Sequence, residues 1–236
     1  MLPFRTYDIP GALAAGFLVL AACEAGYDGS WLIDQDWNPE RITVYGSIAL
    51  CIGLVVALAS RYLIEHKFVL GWLKAPEENL LGGAAFGPRD WRRRLFPAHY
   101  APLEEGTRGR ILSAAGGEGP DGPTTPRVRR ACAAVQRVRI TSNAFSLSLH
   151  LYTTYRTLCL GLLLVSAILA SGIVWHSAVS VWGQAEWRKL GYCLLSLFEA
   201  VGMLYRYLRF YRRHAVETLL GCAGVSLDEA PFPNTA

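Results

Sequence analysis

The chain lacks the residue spacings on which most site chemistry is built. Its six cysteines, Cys23, Cys51, Cys132, Cys159, Cys193 and Cys222, include no C-x-x-C pair. A zinc site and a disulfide framework are therefore not expected, and the cysteines inside apolar runs read as small packing residues. The five histidines, His66, His99, His150, His176 and His214, never fall three or four apart. Helical metal or haem ligation has no basis in that spacing. H-E-x-x-H, G-x-S-x-G and P-loop patterns are missing as well. No enzyme activity, cofactor or metal is expected. No internal repeat is visible, and four helices are few for an alternating-access transporter.

What is present is apolar sequence in long runs. Four stand out: about Ile9–Tyr27, Ile42–Leu63, Thr157–Trp175 and Leu190–Leu208. Each is near the ~20 residues that an α-helix needs to cross the hydrocarbon of a bilayer. The second and third are nearly free of charge, whereas the first and fourth each hold one acid. The pattern predicts an all-α membrane protein with four transmembrane helices. Helices two and three extend from the bilayer into a cytoplasmic helical domain. The first run has one basic residue before it, Arg5, and acidic Glu24 after its small residues. It reads as a retained helix instead of a cleaved signal peptide. Asp8, just ahead of Pro10, suits a helix N-cap.

Orientation follows from the basic residues. From Arg61 to Arg156 there are fifteen Lys and Arg against eight Asp and Glu. The link between runs one and two is acidic, with Asp28, Asp34, Asp36 and Glu40. Both termini and the long loop are thus expected in the cytoplasm. Trp31, Trp37, Trp175, Trp182 and Trp187 would form an outer aromatic belt. The organisation expected is residues 1–63 for transmembrane helices one and two, 64–156 for a basic helical loop, 157–213 for helices three and four, and 214–236 for a cytoplasmic tail. Within the loop, Pro76, Gly82–Gly83 and Pro97 should interrupt helices. Residues 116–126, GGEGPDGPTTP, read as a flexible linker. One long helix is expected from about Thr125 to Trp175. The closing SLDEAPFPNTA has the composition of a disordered tail.

Intramembrane polar residues are the natural functional candidates. Glu199 sits near the middle of the fourth run. It is either pore-lining and proton-sensitive, or a neutral carboxyl bonded to a neighbouring helix. Glu24, near the outer end of helix one, reads as a solvated interfacial carboxylate. Arg206 and Arg209 read as membrane-boundary anchors, and Arg206 shares the helical face of Glu199. Gly11, Ala12, Ala15 and Gly16 have small-xxx-small spacing, compatible with packing inside the chain or with oligomerisation. Two basic clusters could grip phosphate: Arg92, Arg93 and Arg94, and Arg127, Arg129, Arg130, Arg137 and Arg139. The favoured reading is a solvated cytoplasmic face drawn to anionic lipid. Base-stacking aromatics are not interleaved with the Arg127–Arg139 run.

Three stretches carry a resemblance: RTYDIPGALAAGFLVL, TSNAFSLSLHLYTTYRTLCLGLLLV and YRYLRFYRRHAVETLL. Together they resemble small multi-pass bacterial membrane proteins of antiviral defence systems, including membrane accessories of RNA-targeting CRISPR effectors. The likeness is one of layout over most of the chain and transfers no role residue by residue. It implies a homo-oligomeric effector in the bacterial inner membrane that permeabilises or depolarises the bilayer. The alternative is a membrane scaffold that recruits a cytoplasmic protein or an RNA complex through the Arg-rich loop. A membrane enzyme using Glu199, His150 and Asp8 has no spacing in its favour.

Overall fold

The computed structural model describes residues 9–27, 38–81, 90–114, 143–177 and 183–223. Among them every regular element is a helix. The order is α1 (Ile9–Gly26), α2 (Pro39–Ser60), a π-helical segment (Arg61–Leu73), α3 (Pro76–Leu80), α4 (Trp91–Leu95), α5 (Pro97–Tyr100), α6 (Glu105–Ala114), α7 (Asn143–Ser177) and α8 (Gln184–Ala223). The linker 116–126, the Arg127–Arg139 run, Asp8 and Trp31, Trp37 and Trp182 lie outside the described residues. So does the stretch of the expected long helix before residue 143.

Prolines set several helix starts. Pro39, Pro76 and Pro97 each occupy the first turn of a helix, where a missing N–H costs nothing. Ala75, before Pro76, is extended at φ −64° and ψ 137°, as the clash with a following proline ring requires. The helical run that begins at Pro39 continues through Leu73 and stops at Lys74, which adopts φ 71°. That left-handed turn ends the run. Helix two therefore does extend past its apolar segment, but with π geometry over thirteen residues.

Three stretches are long and apolar enough to cross a membrane: Ile9–Gly26, Pro39–Leu80 and Leu149–His176. The fourth expected span is a helix, within the 40 residues of α8, but it is not among the three. Glu199 and Arg206 lower its mean hydropathy.

The described residues form two compact units. The first holds those between Ile9 and Phe68 and between His150 and Tyr207; the second holds the remainder. In the first unit, α1 and α2 pack antiparallel through small residues. A Cβ placed on Gly16 would lie 1.7 Å from the Ala49 carbonyl oxygen, and one on Gly53 would lie 1.7 Å from that of Ala12. The two backbones therefore touch directly. On another side α1 meets α7 in parallel: Gly11 faces Thr154, Ala15 faces Gly161 and Gly26 faces Gly172. The small residues noted in helix one thus serve packing inside the chain.

In turn α7 packs antiparallel on α8. The Cys159 thiol donates to the Ala200 carbonyl at 3.4 Å, and Ser166 Oγ lies 3.2 Å from Cys193 Sγ. Ala22, Val165 and Leu169 form an apolar cluster between α1 and α7, with Ile168 and Cys193 against it.

The second unit is built differently. Leu80 of α3, Ile111 of α6, and Ala215, Val216, Leu219 and Leu220 of α8 form a buried core, flanked by Leu81, Leu103 and Leu112. Its helices α3 to α5 are single turns that also close the end of the π-helical segment. Arg92 Nη1 donates to the Trp72 carbonyl at 2.8 Å, and the Tyr100 hydroxyl donates to that of Leu73 at 3.0 Å. His99 Nε2 lies 3.4 Å from the Lys74 carbonyl oxygen. Three consecutive carbonyls that a helix end leaves open are thus each met by a side chain. Asp90 caps α4 by accepting from Arg92 N–H at 3.0 Å.

Candidate functional site: the outward face of the last helix

Helix α8 meets the rest of the first unit along a narrow seam. Glu186, Lys189, Ser196, Ala200 and Tyr207 are buried, with Cys193 partly so. From Glu186 to Ala200 these positions alternate in steps of three and four, and Tyr207 follows two turns on, the spacing that keeps one stripe of a helix against a neighbour. Much of the remaining surface between Trp187 and Tyr205 is uncovered: Tyr192, Leu194, Leu195, Leu197, Phe198, Val201 and Tyr205 are all exposed, Phe198 to 77%. Gly191 and Gly202 open on empty space.

Glu199 belongs to this outward face. It is exposed, one residue before buried Ala200. The alternative of a carboxyl bonded to a neighbouring helix of the same chain is therefore not what the described residues show. Arg206 is exposed on the same side, its guanidinium 5.8 Å from the Tyr155 ring centre, and Arg209 is exposed one turn on. Trp175 and Trp187 are also exposed, at 68% and 62%.

Glu24 departs from expectation. It is 7% exposed, not solvated. The reason is tertiary: α7 and α8 close over the end of α1. There Lys189, itself 6% exposed, donates from Nζ to the Gly26 carbonyl at 3.4 Å. Tyr27 and Ser171 share a hydrogen bond of 3.0 Å. Glu186 Oε2 accepts from Gly183 N–H at 2.9 Å. Backbone N–H groups, its own and that of Gly183, hold the Glu186 carboxyl below its ordinary range.

A second polar group was missed by sequence reasoning. Arg156 of α7 forms an ion pair with Glu65 of the π-helical segment, and its Nε donates to Ser60 Oγ at 3.2 Å. Arg156 is 8% exposed. Arg and Glu at two apolar-run boundaries were the available signal, but nothing in their separation of ninety-one residues announces a pair.

The Arg92–Arg94 cluster is not the uniform solvated face expected of it. Arg92 lies with its guanidinium 5.1 Å from the Trp72 ring centre and caps that residue's carbonyl. Arg93 is half-buried and Arg94 exposed. Among the described residues no group of three or more His, Cys, Asp or Glu is placed to hold a metal. Comparison with protein-family models, with curated proteins and with solved structures gives no match.

Proposed function

We propose that this chain is a four-span protein of the bacterial inner membrane that assembles from several copies and permeabilises or depolarises the bilayer, as an effector of antiviral defence. The observation that carries the reading is Glu199, a carboxylate in mid-helix on an exposed apolar face. A charged side chain at the bilayer centre costs at least about 2.5–3.5 kcal/mol. Such a residue is stabilised by facing another subunit or water, not lipid tails. Support for a fourth span comes from register. Cys159 meets Ala200 and Ser166 meets Cys193, so α8 runs antiparallel beside the apolar length of α7 and shares its depth. The basic surplus from Arg61 to Arg156 favours cytoplasmic termini. The setting in antiviral defence rests on the resemblance of the three stretches quoted above.

The test is the mass of the particle in lipid nanodiscs, followed by conductance. A closed ring of several copies with Glu199 toward its axis is expected. Glu199→Leu should still assemble but should no longer depolarise cells carrying a potential-sensitive dye. A monomer, or a dimer without a central axis, overturns the pore reading. A scaffold role draws instead on the separate core of the second unit. Charge reversal at Arg127, Arg129 and Arg130 would then abolish capture of a cytoplasmic protein or RNA while leaving conductance intact.

A further inference from the structure

The second unit buries polar atoms that its own core leaves unanswered. Asn79 is 1% exposed, and neither its amide nitrogen nor its oxygen has a partner. His99 is 3% exposed, and its Nδ1 has none. Buried Nε of Arg93 and Nη1 of Arg212 are likewise without a partner. Unanswered groups of this kind are destabilising, more so when charged, and native interiors hold few of them.

These residues come from neighbouring elements. Asn79 lies on α3 and His99 on α5, which pack together. Next to Asn79, Leu80 enters the core formed with Ala215 and Val216 of α8, one turn beyond Arg212. The charge of Arg212 reaches His99, and that of Arg93 reaches Tyr100 beside it. Nearby carboxylates are already engaged. Glu217 accepts from Arg213 Nε at 2.9 Å, and Glu77 has interactions of its own. Burial alone holds the Arg212 guanidinium below its ordinary range, with no carboxylate offsetting it.

We propose that Asn79, Arg93, His99 and Arg212 form a binding site for a phosphate group that also carries a hydroxyl. The two guanidinium groups and the Asn79 amide N–H supply donors to anionic oxygens, the geometry in which arginine reads phosphate. His99 supplies the other half. With Nε2–H directed at the Lys74 carbonyl, Nδ1 of the neutral ring is an acceptor. It and Asn79 Oδ1 need a donor, which a ligand hydroxyl provides. A phosphoglycerol headgroup and inorganic phosphate both fit this chemistry. Register favours the lipid. Arg212 lies four residues beyond Leu208, where the last apolar run ends, or about 6 Å along the helix axis.

The full chain, extracted in detergent and examined by native mass spectrometry, tests this. Wild type is expected to retain a phosphoglycerol lipid through washing that strips phosphatidylcholine, which has the phosphate but no hydroxyl. Arg212→Gln should lower that retention by about tenfold or more. Arg213→Gln removes a neighbouring charge that is already paired and should leave retention unchanged. Inorganic phosphate is the second arm. If it raises the thermal midpoint of lipid-free wild type, and not of Arg212→Gln, while no lipid is retained, the site stands with free phosphate as its source. Equal retention in wild type and a folded Arg212→Gln, with no phosphate shift, overturns the proposal. So does equal loss in Arg212→Gln and Arg213→Gln, which would mark a general charge effect. Should Arg212→Gln fail to fold, Asn79→Ala is read against the same outcomes.

Discussion

The two units solve the packing problem with different materials. The first brings helices together by removing side chains: Gly16 against Ala49, Gly53 against Ala12, Gly26 against Gly172. The second fills space with them, gathering Leu80, Ile111, Leu219 and Leu220 into one cluster. The first leaves large apolar groups facing outward, Phe198 and Val55 among them. The second buries Leu73, Leu80, Leu219 and Leu220 and leaves polar atoms such as those of Asn79 inside. Between helices in lipid there is no hydrophobic driving force, so close backbone approach must do the holding. In water, burial of side chains holds a small domain together. The contrast is one of packing material, and it can be broken from either side.

The largest effect is expected at the α1–α2 contact. Gly16→Ala or Gly53→Ala puts a methyl 1.7 Å from a backbone carbonyl oxygen. Backbone cannot give way as a flexible side chain can, so a loss of about 3 kcal/mol or more is expected, read as a lowered thermal midpoint in detergent. In the second unit, Leu219→Ala should cost about 2–5 kcal/mol through the cavity it leaves. Hydrogen exchange should then rise in α3, α6 and the end of α8, while α1 and α2 stay protected. If both units loosen together, they are not separately stabilised.

Acid should act on the second unit through its histidines. Burial lowers both His99 and His214 from 6.5 to about 4. Each is neutral when folded but takes a proton when unfolded below pH 6.5, so stability is present above that pH. It is lost as pH falls toward 4, by roughly 1–3 kcal/mol for each group. Exchange measured from pH 7 to pH 4.5 should show α5 and the end of α8 opening first. The smallest change is expected at Gly202, which opens on empty space. In the isolated chain Gly202→Ala should be neutral or stabilising by up to about 1 kcal/mol. A drop in oligomer mass without a drop in chain stability would place Gly202 against a neighbouring copy.

Much of the helical architecture could be read from the amino-acid order. The apolar runs mark where α1, α2, α7 and α8 lie, and Pro76 and Pro97 mark breaks in the loop. Hydropathy alone could not show that Glu24 is buried, because the helices covering it begin more than a hundred residues later. It could not show Arg92 as a helix-end cap either, since the three carbonyls it shares with Tyr100 and His99 exist only once Lys74 turns left-handed. The π winding of Arg61–Leu73 has no sequence signature in the apolar period. Glu65 and Arg156 each look like boundary charges until the fold sets them side by side. Legibility fails wherever a residue's role depends on a partner distant in the chain.

The α1–α2 contact also limits how the first unit can move. Carbonyl oxygens sit where a side chain would otherwise begin, so neither helix can slide past the other without lifting away first. Any rearrangement within the unit must carry the two as one rigid body. The α7–α8 contact, where thiols and a hydroxyl meet the neighbouring helix, has more give than α1–α7, where Gly172 also sits against the Gly26 carbonyl.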